Sequence, residues 1–230
     1  MQARQLAEES GATLVVNGDA PTIQPETLRK LYESIADAYM AVLTVKLEDA
    51  GSYGRIVRGY NGEVERIVEA KDATAEERKI QEINTGIYAF NNEKLFAGLK
   101  ELRNDNAQKE YYITDLVAIF RGHGWKVKAV TADNREEVEG VNDNVELARA
   151  SKWLQHKINE KWMKAGVTMI DPVTTYIGPY VTFGHDVVIH PCTEIYGVTA
   201  VGNHVTILGG SMIVNSNIED NTTFAQNTRG

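Results

Sequence analysis

The chain has 230 residues, with 24 Lys and Arg against 32 Asp and Glu, a net charge of −8. Such a surface repels nucleic acid and anionic membranes, and 43% apolar with 24% charged residues is a globular rather than a disordered composition. The single cysteine, Cys192, excludes an intramolecular disulfide and a cysteine-rich zinc site; no apolar run nears the ~18 residues of a membrane span, the opening MQARQLAEESGA does not read as a signal peptide, and a cytoplasmic location is expected.

In chain order, Ala3–Glu9 reads as a fragment of amphipathic helix closed by Gly11. A short strand, Thr13–Val16, ends in Asn17-Gly18-Asp19. Pro25 and Glu26 suit the first turn of a helix. Residues 40–47 form a continuous apolar run, expected to be a strand buried on both faces. Residues 55–58 and 64–68, split by Asn61-Gly62, read as a hairpin. A strand over 83–90, a helix over Tyr112–Arg121 and a strand over Val127–Val130 follow. This alternation implies an α/β sheet covered on both faces, assigned to residues 1–144.

A helical segment over 145–172 is expected to link two domains, with Leu147, Leu154, Ile158, Trp162 and Ala165 on one face. Asp143 with Glu146 could cap its start, and Gly166 its end. From Ile177 a large apolar residue then recurs every six positions: Phe183, Ile189, Ile195, Val201, Ile207 and Ile213. Four positions after each stand Val181, Val187, Thr193, Thr199, Val205, Ser211 and Asn217, small or β-branched except the last. This period predicts a triangular parallel β-helix over 173–230, of little more than two turns, slipping register at Ile218. Its open apolar end calls for a cap, so continuation in a longer protein or cover by another subunit is expected.

Asp19, just past a buried strand, stands where open α/β sheets place ligands, and its carboxylate could hold Mg²⁺; position alone equally suits a turn aspartate. Gly51-Ser52-Tyr53-Gly54-Arg55 lets a ligand approach the backbone. Glu69 and Asn84 offer the carboxylate and amide that a sugar hydroxyl or N-acetyl group needs. Asn142 reads by itself as a helix cap. The five histidines show no metal-ligand spacing along the chain.

Taken in order, Gly18-Asp19-Ala20-Pro21, Tyr53-Gly54-Arg55-Ile56, Ile67-Val68-Glu69, Glu82-Ile83-Asn84-Thr85-Gly86, Asn106-Ala107-Gln108 with Glu110-Tyr111-Tyr112-Ile113-Thr114-Asp115, and Gly140-Val141-Asn142, followed by hexads, form a specific series. The chain resembles the bacterial bifunctional UDP-N-acetylglucosamine pyrophosphorylase and glucosamine-1-phosphate N-acetyltransferase family over nearly its whole length. The resemblance implies a Rossmann-like nucleotidyltransferase domain followed by the start of a left-handed parallel β-helix. It implies uridylyl transfer from UTP to N-acetylglucosamine 1-phosphate, giving UDP-N-acetylglucosamine and pyrophosphate. Asp19 and Asn142 match the family's magnesium ligands, and Gly54, Glu69 and Asn84 its N-acetylglucosamine-binding residues. A homotrimer is expected, with acetyl-CoA a substrate only of the complete parent protein.

Two departures qualify this. The family's Gly-rich basic loop, G-x-G-T-R-M-x-S, is absent from the 230 residues, as are its later coils. The chain is therefore expected to be an internal segment, weak or inactive alone. Asn17 stands where many relatives carry an aromatic residue. Alternatives are a related sugar-1-phosphate nucleotidyltransferase such as a glucose-1-phosphate adenylyltransferase, a trimerising remnant without catalysis, and a hexapeptide acyltransferase using His185, His190 or His204.

Overall fold

A computed structural model describes residues 4–105 and 109–225 and divides into two compact units, residues 1–142 and 143–230. The motif residues Asn106–Gln108 and the final Thr228-Arg229-Gly230 lie outside the described residues.

The first unit is built on β1 (Ala12–Val15), β2 (Met40–Lys46), β3 (Arg55–Arg58), β4 (Val64–Val68), β5 (Glu82–Asn91) and β6 (Val127–Thr131). They form one sheet in the order β4-β3-β5-β2-β6, with β1 also on β5. The sheet is mixed: β2 runs parallel to β6 and antiparallel to β5. Met40 and Val42 enter one apolar cluster, while Ala41, Leu43 and Val45 enter another on the opposite face. Tyr88 and Phe90 alternate with Ile87 and Ala89 in the same way. Helix α1 (Pro25–Glu33) covers one face through Leu28 and Leu31. Helices α2 (Asn92–Leu99) and α3 (Leu116–Gly122) cover the other through Leu95, Phe96, Leu116, Val117 and Phe120. An uninterrupted apolar run such as 40–45 is the consequence of burial on both faces.

Several local expectations are corrected. The first helical fragment is a 3₁₀ turn, Arg4–Glu8. The helix expected from Tyr112 starts as a 3₁₀ turn at Ile113–Asp115 and becomes α-helical only at Leu116. Helix α2 was not anticipated; Asn91 caps it by accepting from the Lys94 N–H at 3.2 Å. The strand expected over 83–90 is found as β5, but its pairing with β2 is irregular: Val42 pairs with Tyr88 and Thr44 with Asn84, so Leu43 alone faces Thr85, Gly86 and Ile87. Gly86 makes this bulge at φ +79°, in the left-handed region that favours glycine.

The second unit opens with α4 (Asn144–Lys164), whose N-cap Asp143 accepts from the N–H groups of Val145 and Glu146 at 2.8 Å. It ends in a Schellman motif, Val167 N–H to Trp162 O and Gly166 N–H to Met163 O. Ten short strands follow, β7 (Thr168–Met169), β8 (Tyr176–Ile177), β9 (Thr182–Phe183), β10 (Val188–Ile189), β11 (Glu194–Tyr196), β12 (Ala200–Val201), β13 (Thr206–Ile207), β14 (Met212–Val214), β15 (Asn217–Ile218) and β16 (Thr223–Phe224). They stack as three parallel sheets, β16-β13-β10-β7, β14-β11-β8 and β15-β12-β9. The result is a β-solenoid of about three turns, longer than the two anticipated because Met169 and Phe224 also serve as rungs.

Ile177 pairs with Ile195 and Ile195 with Ile213, so a turn takes 18 residues. Val201 pairs with Ile218, one residue short, which is the register slip at Ile218. The hydroxyls of Thr193, Thr199 and Ser211 each donate to the carbonyl three residues back, at 2.6–2.8 Å, satisfying buried corner oxygens. At Gly184 a Cβ would lie 2.8 Å from the Gly202 carbonyl carbon on the next turn, so only glycine permits that stacking.

Helix α4 is not a free arm. Ile158, Trp162 and Met163 pack on the solenoid core, and Trp162 meets Phe183 edge-on at 5.0 Å. Its fully buried residues are polar, Gln155 and Asn159. Their amides donate to the carbonyls of Pro172, Val173 and Thr175, while Leu147 from the expected apolar face is exposed. The helix thus covers the first turn of the coil, the cap such a repeat requires.

Candidate functional site

Two groups of candidate residues meet in the first unit. The segment after β1 runs beside the segment after β6, and the Val141 N–H donates to the Asp19 carbonyl at 2.8 Å. A Cβ on Gly140 would stand 3.2 Å from Asp19 Oδ2 and 3.8 Å from Asn142 Nδ2, so both side chains converge on this glycine. A carboxylate and an amide brought near one glycine could supply oxygen ligands to a divalent metal ion, the amide through its carbonyl oxygen, with substrate phosphates and water completing the shell.

The second group forms around the 51–54 loop. The Asn84 N–H donates to the Gly54 carbonyl at 2.8 Å. A Cβ on Gly54 would meet the Glu69 carboxylate oxygens at 3.4 and 3.5 Å and Ile67 Cγ2 at 3.3 Å. Glu69 Oε1 accepts from the Thr114 hydroxyl at 3.1 Å, which fixes the carboxylate orientation. Glu69, Thr114, Asp72, Tyr112 and Asp115 line a groove of about 360 Å³. Burial and the charge of Asp72 push the Asp115 carboxyl above its ordinary range.

Sequence reasoning missed the residues that hold these groups in place. Arg55 is 4% exposed and turns back on its own loop, donating to the carbonyls of Tyr53 and Gly51. Tyr88 is buried against Asn84 without a hydrogen bond of ordinary geometry, and burial raises its phenol well above the usual range. Glu137, among the charged residues of Arg135–Glu139, is buried. Its carboxylate accepts from the Thr27 hydroxyl at 2.5 Å and the Asn134 amide at 3.0 Å, while the Thr22 hydroxyl donates to the Glu136 carbonyl at 2.6 Å. These bonds clamp the Asp19 segment to the Asn142 segment.

In the second unit, His185 and His204 come together with Asp186 at one corner of the solenoid, whereas His190 is not among them. The two histidines, which show no metal-ligand spacing along the chain, are 19 positions apart, and a turn of 18 places them on successive turns.

The nucleotidyl transferase family model matches residues 1–164. The bifunctional protein GlmU of Exiguobacterium sibiricum is 48% identical over 96% of this chain and 50% of its own length. That of Limosilactobacillus reuteri is 48% identical over 99% of this chain and 51% of its own, and that of Halalkalibacterium halodurans 45% over 96% and 49%. The chain spans about half the length of these relatives. Among solved structures, 4-diphosphocytidyl-2C-methyl-D-erythritol synthase of Anaerococcus prevotii has a TM-score of 0.43 and 16% identity, over 66% of this chain and 64% of that one, a likeness too loose to carry an argument. The match over residues 1–164 establishes the relationship: the chain belongs to the nucleotidyl transferase family.

Proposed function

We propose that the first unit carries the metal- and sugar-binding part of a site for uridylyl transfer. In that reaction a phosphate oxygen of N-acetylglucosamine 1-phosphate attacks the α-phosphorus of UTP. UDP-N-acetylglucosamine forms and pyrophosphate leaves. Asp19 and Asn142 would hold Mg²⁺, which when bound neutralises phosphate charge. The nucleophile belongs to the substrate, so the protein's task is to position and orient. Glu69, steadied by Thr114, accepts from a sugar hydroxyl. The Asn84 amide serves the N-acetyl group, and Gly54 leaves room for the sugar against Glu69. The observation that carries this reading is that Glu69 and Asn84, distant in sequence, both meet Gly54, Glu69 through its carboxylate and Asn84 through its backbone N–H, and that their chemistry suits one amino sugar. The motif series implies the same substrates, a homotrimer, and acetyl-CoA as a substrate of the complete protein, and similarity to bifunctional GlmU proteins supports nucleotidyl transfer.

Calorimetric titration of UDP-N-acetylglucosamine with Mg²⁺ into the chain tests the reading. Binding is expected for the wild type and lost or weakened at least ~10-fold in Glu69→Ala, by analogy with other buried charged hydrogen bonds to ligand. Identical heats for both proteins would overturn it.

A further inference from the structure

The corner of the solenoid formed by residues 184–186 and 202–204 has a composition that the nucleotidyl transfer site does not use. His185 Nδ1 lies 2.7 Å from Asp186 Oδ2, and His204 Nδ1 lies 3.5 Å from the same oxygen. One potential donor atom from each of the three residues lies within 4.8 Å of the others. The imidazoles are nearly perpendicular, with centroids 4.8 Å apart. Two ligands each ~2.0–2.1 Å from a zinc ion in a tetrahedral site are ~3.4 Å apart, so small side-chain rotations bring these atoms to ligand spacing.

The backbone beneath is fixed. The His204 N–H donates to the His185 carbonyl at 2.9 Å, and the His185 N–H to Asn203 Oδ1 at 3.1 Å. Asn203 is anchored in turn by Asp220 on the following turn, through its N–H at 2.7 Å and its amide at 3.1 and 3.2 Å. Asp186 and His204 sit at φ 58° and 56°, a left-handed corner conformation uncommon for non-glycine residues but one that Asp and His adopt more readily than most. The side chains themselves are exposed, so further coordination positions face solvent.

We propose that His185, Asp186 and His204 form a binding site for a divalent transition-metal ion, with zinc the best match. Two imidazoles and one carboxylate suit zinc and its neighbours over Mg²⁺ or Ca²⁺, which prefer all-oxygen shells. Ligands from successive turns make the ion a clip between coils.

The test is calorimetric titration of Zn²⁺ into the 230-residue chain with millimolar Mg²⁺ present to occupy oxygen-rich sites. His185→Gln and His204→Asn are the variants, the asparagine chosen because it tolerates the left-handed corner. Co²⁺ absorption provides a second readout, reporting nitrogen ligation directly. The expected result is uptake of one Zn²⁺ by the wild type, resistant to Mg²⁺, and weakened about 10-fold or more in each variant, at least the loss seen for second-shell changes at metal sites. Absence of Zn²⁺ uptake by the wild type, or equal affinity in wild type and both variants, would overturn the proposal. Unchanged circular dichroism melting of the metal-free variants shows that lost binding is not lost folding.

Discussion

Asn17 Nδ2 donates to the Thr85 carbonyl at 3.0 Å, joining the two halves of the candidate site. Asn17 lies two residues before Asp19, and Thr85 follows Asn84. The bond forms because the bulge at Gly86 turns that carbonyl out of the β2 ladder, while the Thr85 hydroxyl donates back to the Leu43 carbonyl at 2.8 Å. The space where a Gly86 Cβ would lie is filled by Asn17, with Nδ2 2.6 Å away.

Gly86→Ala should therefore be doubly harmful. The methyl group meets Asn17, and alanine is strained at φ +79°. A loss of about 1–3 kcal/mol is expected from such backbone strain and overpacking. The double variant Asn17→Ala with Gly86→Ala removes the clash but keeps the strain. Thermal unfolding of the four proteins in the cycle should show it recovering part of the loss. Strict additivity would mean that the two residues do not press on each other.

A second prediction concerns the clamp between the Asp19 and Asn142 segments. Glu137→Ala removes the partner of the Thr27 hydroxyl and of Asn134 and leaves a cavity. The expected cost is about 2–4 kcal/mol, from unsatisfied buried groups and lost packing. Glu137→Gln retains an acceptor for Thr27 and should cost less. Mg²⁺ affinity of the folded variants, measured by competition at 25 °C, should fall in the order wild type, Glu137→Gln, Glu137→Ala. Affinity unchanged across the series would separate the clamp from the metal position.

How much of this was legible follows from the range of the interactions. The solenoid was read from Ile177 to Ile213 because each rung repeats the same one-residue rule, large and apolar inside. The turn count fell short because Met169 lies before the expected start at 173, 20 residues from Ile189, and because Phe224, beyond the slip at Ile218, pairs 17 residues after Ile207. The buried β2 run was legible because burial on both faces leaves no polar alternation. The role of α4 was legible only in part: Ile158 and Trp162 of the expected face do pack on the coil, but its most buried residues are Gln155 and Asn159, polar residues that helical periodicity assigns to solvent. The pairing of Glu137 with Thr27 joins residues 110 apart, and no local pattern encodes it. Histidines on successive turns become visible only once the turn length is known.

Acid should destabilise the first unit through Glu82. Arg58 clasps its carboxylate with two bonds of 2.6 and 2.7 Å, at the end of β5 that carries Asn84. Burial raises the Glu82 carboxyl, but the hydrogen bonds from Arg58 and Thr44 and the nearby positive charges outweigh it, leaving the group below its ordinary range. A carboxylate depressed in the folded state contributes stability that is fully present above its unfolded value. That contribution is lost as pH falls through the folded value. The loss attributable to Glu82 thus begins near pH 4.5, the ordinary carboxyl value, and continues below it. Unfolding in urea from pH 7 to pH 3 should show a steeper fall for the wild type than for Glu82→Gln. Parallel curves would assign the acid sensitivity to other carboxylates.

The cap on the solenoid makes the last prediction. The Asn159 amide donates to the carbonyls of Pro172 and Thr175 at 2.9 Å each, and the Gln155 amide to those of Val173 and Thr175. These carbonyls belong to the first turn, which has no preceding coil to pair with. Replacing either amide by an isosteric apolar group, Asn159→Leu or Gln155→Met, improves the helical apolar pattern yet takes one of two donors from these carbonyls. Each should cost about 1 kcal/mol, the net contribution of a lost hydrogen bond. Both amides serve the Thr175 carbonyl, so the surviving donor partly compensates in each single variant and the double variant should lose more than the two single losses together. Hydrogen exchange gives the spatial readout. Amides of β8 and β9 should lose protection before those of β12 and β13, because opening at the uncovered turn exposes the nearest rungs first. A uniform loss along the coil would instead mean that the solenoid unfolds as one unit and that α4 stabilises every turn equally.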